Sequence, residues 1–189
     1  MSDLETSESF SPESSDVYCL PILTLAAMSR LARRRSELSE LARFLEVRVR
    51  PGDRNPWGLA ASDGSHPAGV TLNNAAVLLP EWFRQELVPI TFHFEPIESM
   101  PWGDPELHYA DLAHETEVFV GAALDWKVAM DQPGSSLHVV EIVSYRGSKA
   151  TVRDHTQTGF PEFVIPIARF ERAMWMASGG FLIYRKVDA

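Results

Sequence analysis

"HVVEIVSYRGSKATVRD", residues 138–154, decides the fold. Its first half is rich in Val and Ile, its middle supplies turn residues, and its second half returns through Ala, Thr and Val. The pattern predicts a β-hairpin centred on Arg146, with Gly147 at the left-handed position of a three-residue loop. In that register Ser144 opposes Ser148, Ile142 opposes Ala150, Val140 opposes Val152 and His138 opposes Asp154. Side chains alternate between faces, so His138, Val140 and Ile142 share one face with Ala150, Val152 and Asp154. That face is apolar except at its open end, where an imidazole meets a carboxylate. Cross-strand partners have Cβ atoms about 4.5–5.5 Å apart, close enough for a hydrogen bond between these side chains. Such a carboxylate fixes the ring tautomer and stabilises its charged form. A satisfied polar pair at the edge of a core is the plainer alternative. The opposite face carries Val139, Glu141, Val143, Thr151 and Arg153, a mixture suited to partial exposure, and His155 is expected exposed.

Outward from the hairpin, "IPIARFERAMWM" (165–176) predicts a short amphipathic helix with Pro166 near its start, and "GFLIYRK" (180–186) a closing strand. "SGG" at 178–180 reads as a turn. Upstream, "TEVFVGAALDWKVA" (116–129) reads as a central strand with its extension, 99–115 as a long loop, and "PITFHFEPI" as a strand. Helices precede the strands. One covers about Cys19–Arg34, with Pro21 in the first turn, where its missing N–H costs nothing. A second, "ELSELARFLEV", is capped by Ser36. A third, 71–87, is interrupted or kinked near Pro80. Residues 50–69 are loop. Helices first and a mostly antiparallel sheet afterwards make the class α+β rather than a doubly wound sheet. Residues 1–14, rich in Ser and Glu, read as a disordered tail. The remainder, 15–189, reads as one domain.

The composition narrows the function classes. The net charge of −9 disfavours a general nucleic-acid-binding surface. A single cysteine excludes an internal disulfide framework and a CxxC zinc site. No Gly-rich phosphate loop is present, so no cofactor is expected. His108, His114, Asp104, Asp111 and Glu115 crowd one loop, but their spacing fits no standard ligand motif, and no metal is expected. The chain opens polar and acidic, and no apolar run nears the roughly 18 residues of a membrane span. These features predict a cytoplasmic protein with no membrane partner. "RLARRR" (30–35) is a solvated helix end or, more specifically, a docking patch formed by Arg30, Arg33, Arg34 and Arg35 for an acidic partner.

Cys19 opens the first predicted helix. Thiols at helix N-termini meet the positive end of the helix dipole and unpaired N–H groups, and both favour the anionic, nucleophilic form. Free cysteine is also among the most buried residue types, so packing competes with chemistry as its role. Cys19, His138 and Asp154 together match the generalised nucleophilic triad of thiol, base and orienting carboxylate. Asp125, beside Trp126 at the end of the central strand, is a second candidate orienter or a surface residue next to a core Trp. Asn73 and Asn74 have amides suited to an oxyanion, but no pattern singles them out. Trp57 and Trp102, in Gly/Pro-rich loops, are the aromatics expected to line an apolar acyl pocket.

With "DVYCLPILTLAAM", "HVVEIVSYRGSKATVRD", "TGFPEFVIPIARFERAMW" and "GGFLIY", the chain resembles papain-like cysteine enzymes of the C39-peptidase type. It is also similar to the acyltransferase type of butirosin biosynthesis. "VFVGAALDW" is similar to the strand that precedes the family's His. The likeness covers the two ends of the chain; about 46–115 does not align. The resemblance implies a papain-like fold with N-terminal helices packed on the sheet. It also implies Cys19 as nucleophile, His138 as base and acid, and Asp154 as orienter. Two departures stand out. Many C39 peptidases carry a Gln six residues before the Cys for the oxyanion hole; here Glu13 stands there, and an ionised carboxylate opposes an oxyanion. Tyr18-Cys19-Leu20 also replaces the Asp-Cys-Gly start of the peptidases. The resemblance therefore implies acyl transfer or Dieckmann-type cyclisation on a thioester, with an acyl-carrier protein as partner in a biosynthetic pathway. Peptidase or amidase activity, and a non-catalytic SH3-like binding module with an inert Cys19, are the competing readings.

Overall fold

The computed structural model describes residues 16–99 and 115–187. The predicted tail, residues 1–14, lies outside this range. Three helices come first: α1 (Cys19–Ala32), α2 (Leu38–Phe44) and α3 (Leu72–Gln85). The sheet-forming part follows as β1 (Ile90–Pro96), β2 (Val118–Asp125), the single-turn α4 (Trp126–Ala129), β3 (Leu137–Arg146), β4 (Lys149–Arg153), β5 (Glu162–Pro166), α5 (Ile167–Met176) and β6 (Gly180–Lys186). The six strands form one sheet in the order β1-β6-β2-β3-β4-β5, and every neighbouring pair is antiparallel. The architecture is α+β, as the order of helices and strands predicts, and its strands form an open sheet rather than an SH3-like barrel.

The sheet separates two apolar layers. All of β2 is buried, and its alternation divides it. Phe119 and Ala123 pack with α1, α2 and α3, whereas Val118, Val120, Ala122 and Leu124 pack on the side of α4 and α5. In β6, Leu182 and Tyr184 take the first side, Phe181 and Ile183 the second. Gly121 lets α1 come close: a Cβ there would stand 2.5 Å from Leu23 Cδ2.

The hairpin departs from its predicted register in an instructive way. Its turn has two residues, Gly147 and Ser148, with Gly147 at φ +58°, and Arg146 pairs with Lys149. A β-bulge between Ile142 and Ser144 then shifts the pairing again, so that Ile142 pairs with Val152 and Glu141 with Arg153. The two offsets add to an even slip. His138 and Asp154 therefore share a face as diagonal rather than directly opposed neighbours.

Other expectations change at element ends. α1 stops at Ala32, because Arg33 adopts a left-handed conformation with φ +53°. Glu37, not Ser36, stands at the N-cap of α2, and no side chain caps it. α3 runs unbroken through Pro80. That proline is exposed, as is Ala76, whose carbonyl loses its helical donor and faces water instead. β5 was not predicted; Glu162–Pro166 pairs along the full length of β4.

Candidate active site

α1 starts at Cys19, directly after a short 3-10 turn (Asp16–Tyr18), and no side chain caps it. Cys19 is 8% exposed. It borders a cavity of about 260 Å³ walled by Val17, Leu20, Val70, Leu72 and Val139, with Arg50 as the charged side chain among its lining residues.

His138 is the second residue of β3 and is buried. Its Nε2 lies 3.2 Å from Asp154 Oδ1, an ion-pair distance whose angle falls outside hydrogen-bonding geometry. With Nε2 turned to the carboxylate, Nδ1 is the other ring nitrogen, and Cys19 is close enough to influence the ring. Burial opposes the imidazolium, but Asp154 and Cys19 outweigh it and raise His138 to about 10.

Asp154 is fully buried. Its Oδ1 accepts from the Thr156 N–H at 2.9 Å and the Thr156 hydroxyl at 2.6 Å, and its Oδ2 accepts from Gln157 Nε2 at 2.7 Å. Burial alone would raise its pKa; the neighbouring His138 and the Thr156 donors more than offset this and hold the carboxyl well below the usual carboxylate range. Sequence reasoning missed Thr156 and Gln157. Their signal is an Asp followed two residues later by Thr, the spacing of an Asx-type turn.

Asp125 does not orient His138. It is buried, and its carboxylate accepts from the N–H groups of Lys127, Val128 and Ser136 and from the Ser135 hydroxyl. It thus starts α4 and ties down the connection into His138. Trp126, the next residue, places its ring against the His138 imidazole with centroids 5.3 Å apart.

Of the two tryptophans expected to line an acyl pocket, Trp102 lies outside the described residues. Trp57 packs edge-on against Tyr18 at 5.0 Å and is not among the residues lining the Cys19 cavity. Asn73 and Asn74 are exposed on α3, and Asn74 donates its backbone N–H to the Thr71 cap. Glu13, His108, His114, Asp104 and Asp111 also lie outside the described residues, and Glu115 pairs with Arg185. Among the described residues, no group of three or more His, Cys, Asp or Glu side chains is placed to hold a metal ion, and no helix is long and apolar enough to cross a membrane.

The arginine patch is split. Arg33, Arg34 and Arg35 are exposed. Arg30, also exposed, reaches back to the sheet: it pairs with Glu141 at 3.1 Å and lies over the Phe119 ring at 5.6 Å. His155, expected exposed, is mostly covered and pairs with the same Glu141 at 2.7 Å. Glu141 itself is buried rather than partly exposed, because α1 covers that face of β3.

The fold that positions this helix and hairpin has a counterpart among solved structures. A crystal structure of a protein assigned as a C39-like peptidase, from Bacillus anthracis, superposes with a TM-score of 0.56 at 18% identity over 92% of this chain and 91% of that one. The fold is papain-like, of the C39-peptidase type. No family model and no curated protein matches the sequence.

Proposed function

We propose that the protein is a cysteine-nucleophile acyl-transfer enzyme. The Cys19 proton rests on His138 Nδ1 in a thiolate–imidazolium pair, the sulfur attacks a carbonyl carbon as the thiolate, and an acyl-enzyme forms as the leaving group departs. An amine, a carbanion or water then takes the acyl group, with His138 removing or returning the proton. Asp154 holds the ring and balances its positive charge. The uncapped first turn of α1 supplies the oxyanion donor through the Cys19 N–H. The observation that carries this reading is the buried His138–Asp154 pair, 3.2 Å apart, whose ring also feels Cys19.

A thioester is the acyl donor we favour. Its carbonyl is less resonance-stabilised than an amide's, so it asks less of the oxyanion site, and its thiolate leaves without a proton. That suits a chain with Glu13 where a Gln donor would stand. A carrier protein bearing the thioester would dock at Arg33, Arg34 and Arg35, exposed on a chain that is acidic overall. The second reading is a peptidase or amidase, favoured by the assigned activity of the Bacillus anthracis protein.

Intact-mass trapping with a panel of N-acetylcysteamine acyl thioesters tests the reading. The expected result is one acyl adduct, mapped to Cys19, which forms at least about 10²-fold more slowly in His138→Ala. Adducts that form equally fast in His138→Ala would overturn it. A peptide panel run in parallel separates the two readings: turnover of peptides with no thioester adduct selects the peptidase.

A further inference from the structure

Glu141 is a buried carboxylate facing two arginines and a histidine from three parts of the chain. Arg30 reaches it from α1 at 3.1 Å, Arg153 from β4 at 3.0 Å, and His155 from the residue after Asp154 at 2.7 Å. Arg153 is shared with Glu162 of β5. The aromatic ring of Phe119 fills the space beneath, with the Arg30 guanidinium 5.6 Å from its centre and the His155 ring 6.3 Å away. Each partner has a place relative to the proposed triad. Arg30 rides on the helix that begins with Cys19. Glu141 lies three residues beyond His138 on β3, on the opposite face of the sheet. Arg153 and His155 flank Asp154 on both sides.

We propose that Glu141 is a positioning residue, which sets the separation between Cys19 and the His138–Asp154 pair by clamping α1 to the hairpin. The inference rests on the acyl-transfer reading above. Physically, α1 meets the sheet mostly through apolar contacts, which are non-directional and permit small slides. A charge-assisted hydrogen bond from Arg30 to a fixed carboxylate has direction and resists a slide. His155 and Arg153 hold the carboxylate from the other side, so the clamp also fixes the strand end that carries Asp154. Without the carboxylate, Arg30, Arg153 and His155 face each other with no anion between them, and α1 shifts outward.

The test is the alkylation rate of Cys19 by iodoacetamide at pH 7, well below each variant's unfolding temperature. Glu141→Gln is expected to slow alkylation about tenfold or more, since misplacement of about 1 Å costs positioned chemistry up to about 10²-fold. A positioning residue acts through the base. The same substitution placed on His138→Ala is therefore expected to change the residual rate less than twofold, whereas a general loosening of the fold would change both backgrounds alike. Arg30→Met keeps the packing over Phe119 and removes the pair from the α1 side, where Arg30 is 42% exposed. It is expected to behave like Glu141→Gln, and it decides the matter if Glu141→Gln does not fold. A folded variant alkylated within twofold of wild type overturns the inference alone. A wild-type thiol indifferent to His138→Ala overturns the acyl-transfer reading, and this inference with it.

Discussion

A buried imidazolium beside a carboxylate stabilises a fold only while both partners stay charged. For His138 the folded-state value is raised from the ordinary 6.5 to about 10. Its contribution is therefore complete below about pH 6.5 and disappears as pH rises through about 10. For Asp154 the value is lowered, so its contribution holds above the ordinary carboxylate range and disappears as pH falls below it. Asp154→Asn removes the charge that keeps His138 protonated, and burial then acts unopposed. Urea unfolding at pH 6 is expected to show this variant about 3 kcal/mol less stable than wild type, the scale for breaking a buried pair from one side. The gap should narrow at pH 8 and again at pH 9.5. A gap that widens with pH contradicts the pairing. The partners of this couple were legible in the sequence because strand alternation depends only on whether a register slip is odd or even. The two-residue turn and the bulge at Val143 each moved the register, yet their sum left His138 and Asp154 on one face. Glu141 was not legible in the same way. Its burial depends on Arg30, and no local pattern shows which helix will cover a mixed strand face.

At the scale of elements, the seating of α1 depends on an absent side chain. Gly121 lies mid-strand in β2, beneath Leu23, and a Cβ there would approach the Leu23 Cδ2 to 2.5 Å. Gly121→Ala is expected to cost about 1–3 kcal/mol as an overpacked contact. If the clash is the cause, the cost should fall to less than half when Leu23→Ala supplies the background, even though Leu23→Ala alone destabilises by about 2–5 kcal/mol. Equal costs in both backgrounds would place the effect elsewhere in β2. Elements were readable where burial imposes a period. The α5 pattern and the β6 run appear close to their predicted bounds because each meets the core along its length. β5 escaped because "EFVIP" is short, preceded by Pro161 and ended by Pro166, and lies at the sheet edge, where only one neighbour constrains it. The α4 turn escaped because Asp125 works as its cap only once the strand before it has ended, and the apolar run of β2 gives no sign of where that is.

The whole molecule makes the proposed site a consequence of global folding. Cys19 comes from the start of the described chain, His138 and Asp154 from beyond its middle, and no short-range structure brings them together. Their meeting needs α1 docked on β2, β3 and β6, and those strands paired with one another. Two apolar layers back the sheet and share the strands β2, β3 and β6, whose alternate side chains face each, so neither layer keeps its shape if the other opens. In a cooperative domain of this kind, the fast, His138-dependent alkylation of Cys19 should vanish in the same transition as the fold. A urea series followed by tryptophan fluorescence, far-UV circular dichroism and the rate of iodoacetamide labelling is expected to give one midpoint for all three. Above the midpoint, labelling should fall to the rate of an unfolded thiol and lose its sensitivity to His138→Ala. If the His138-dependent rate disappears well before the spectroscopic transition, α1 undocks on its own, and the proposed triad is assembled by a local equilibrium rather than by the fold as a whole. In that case Glu141→Gln would shift the early transition and leave the later one in place, so the same urea series separates a clamp that acts locally from a fold that acts as a unit.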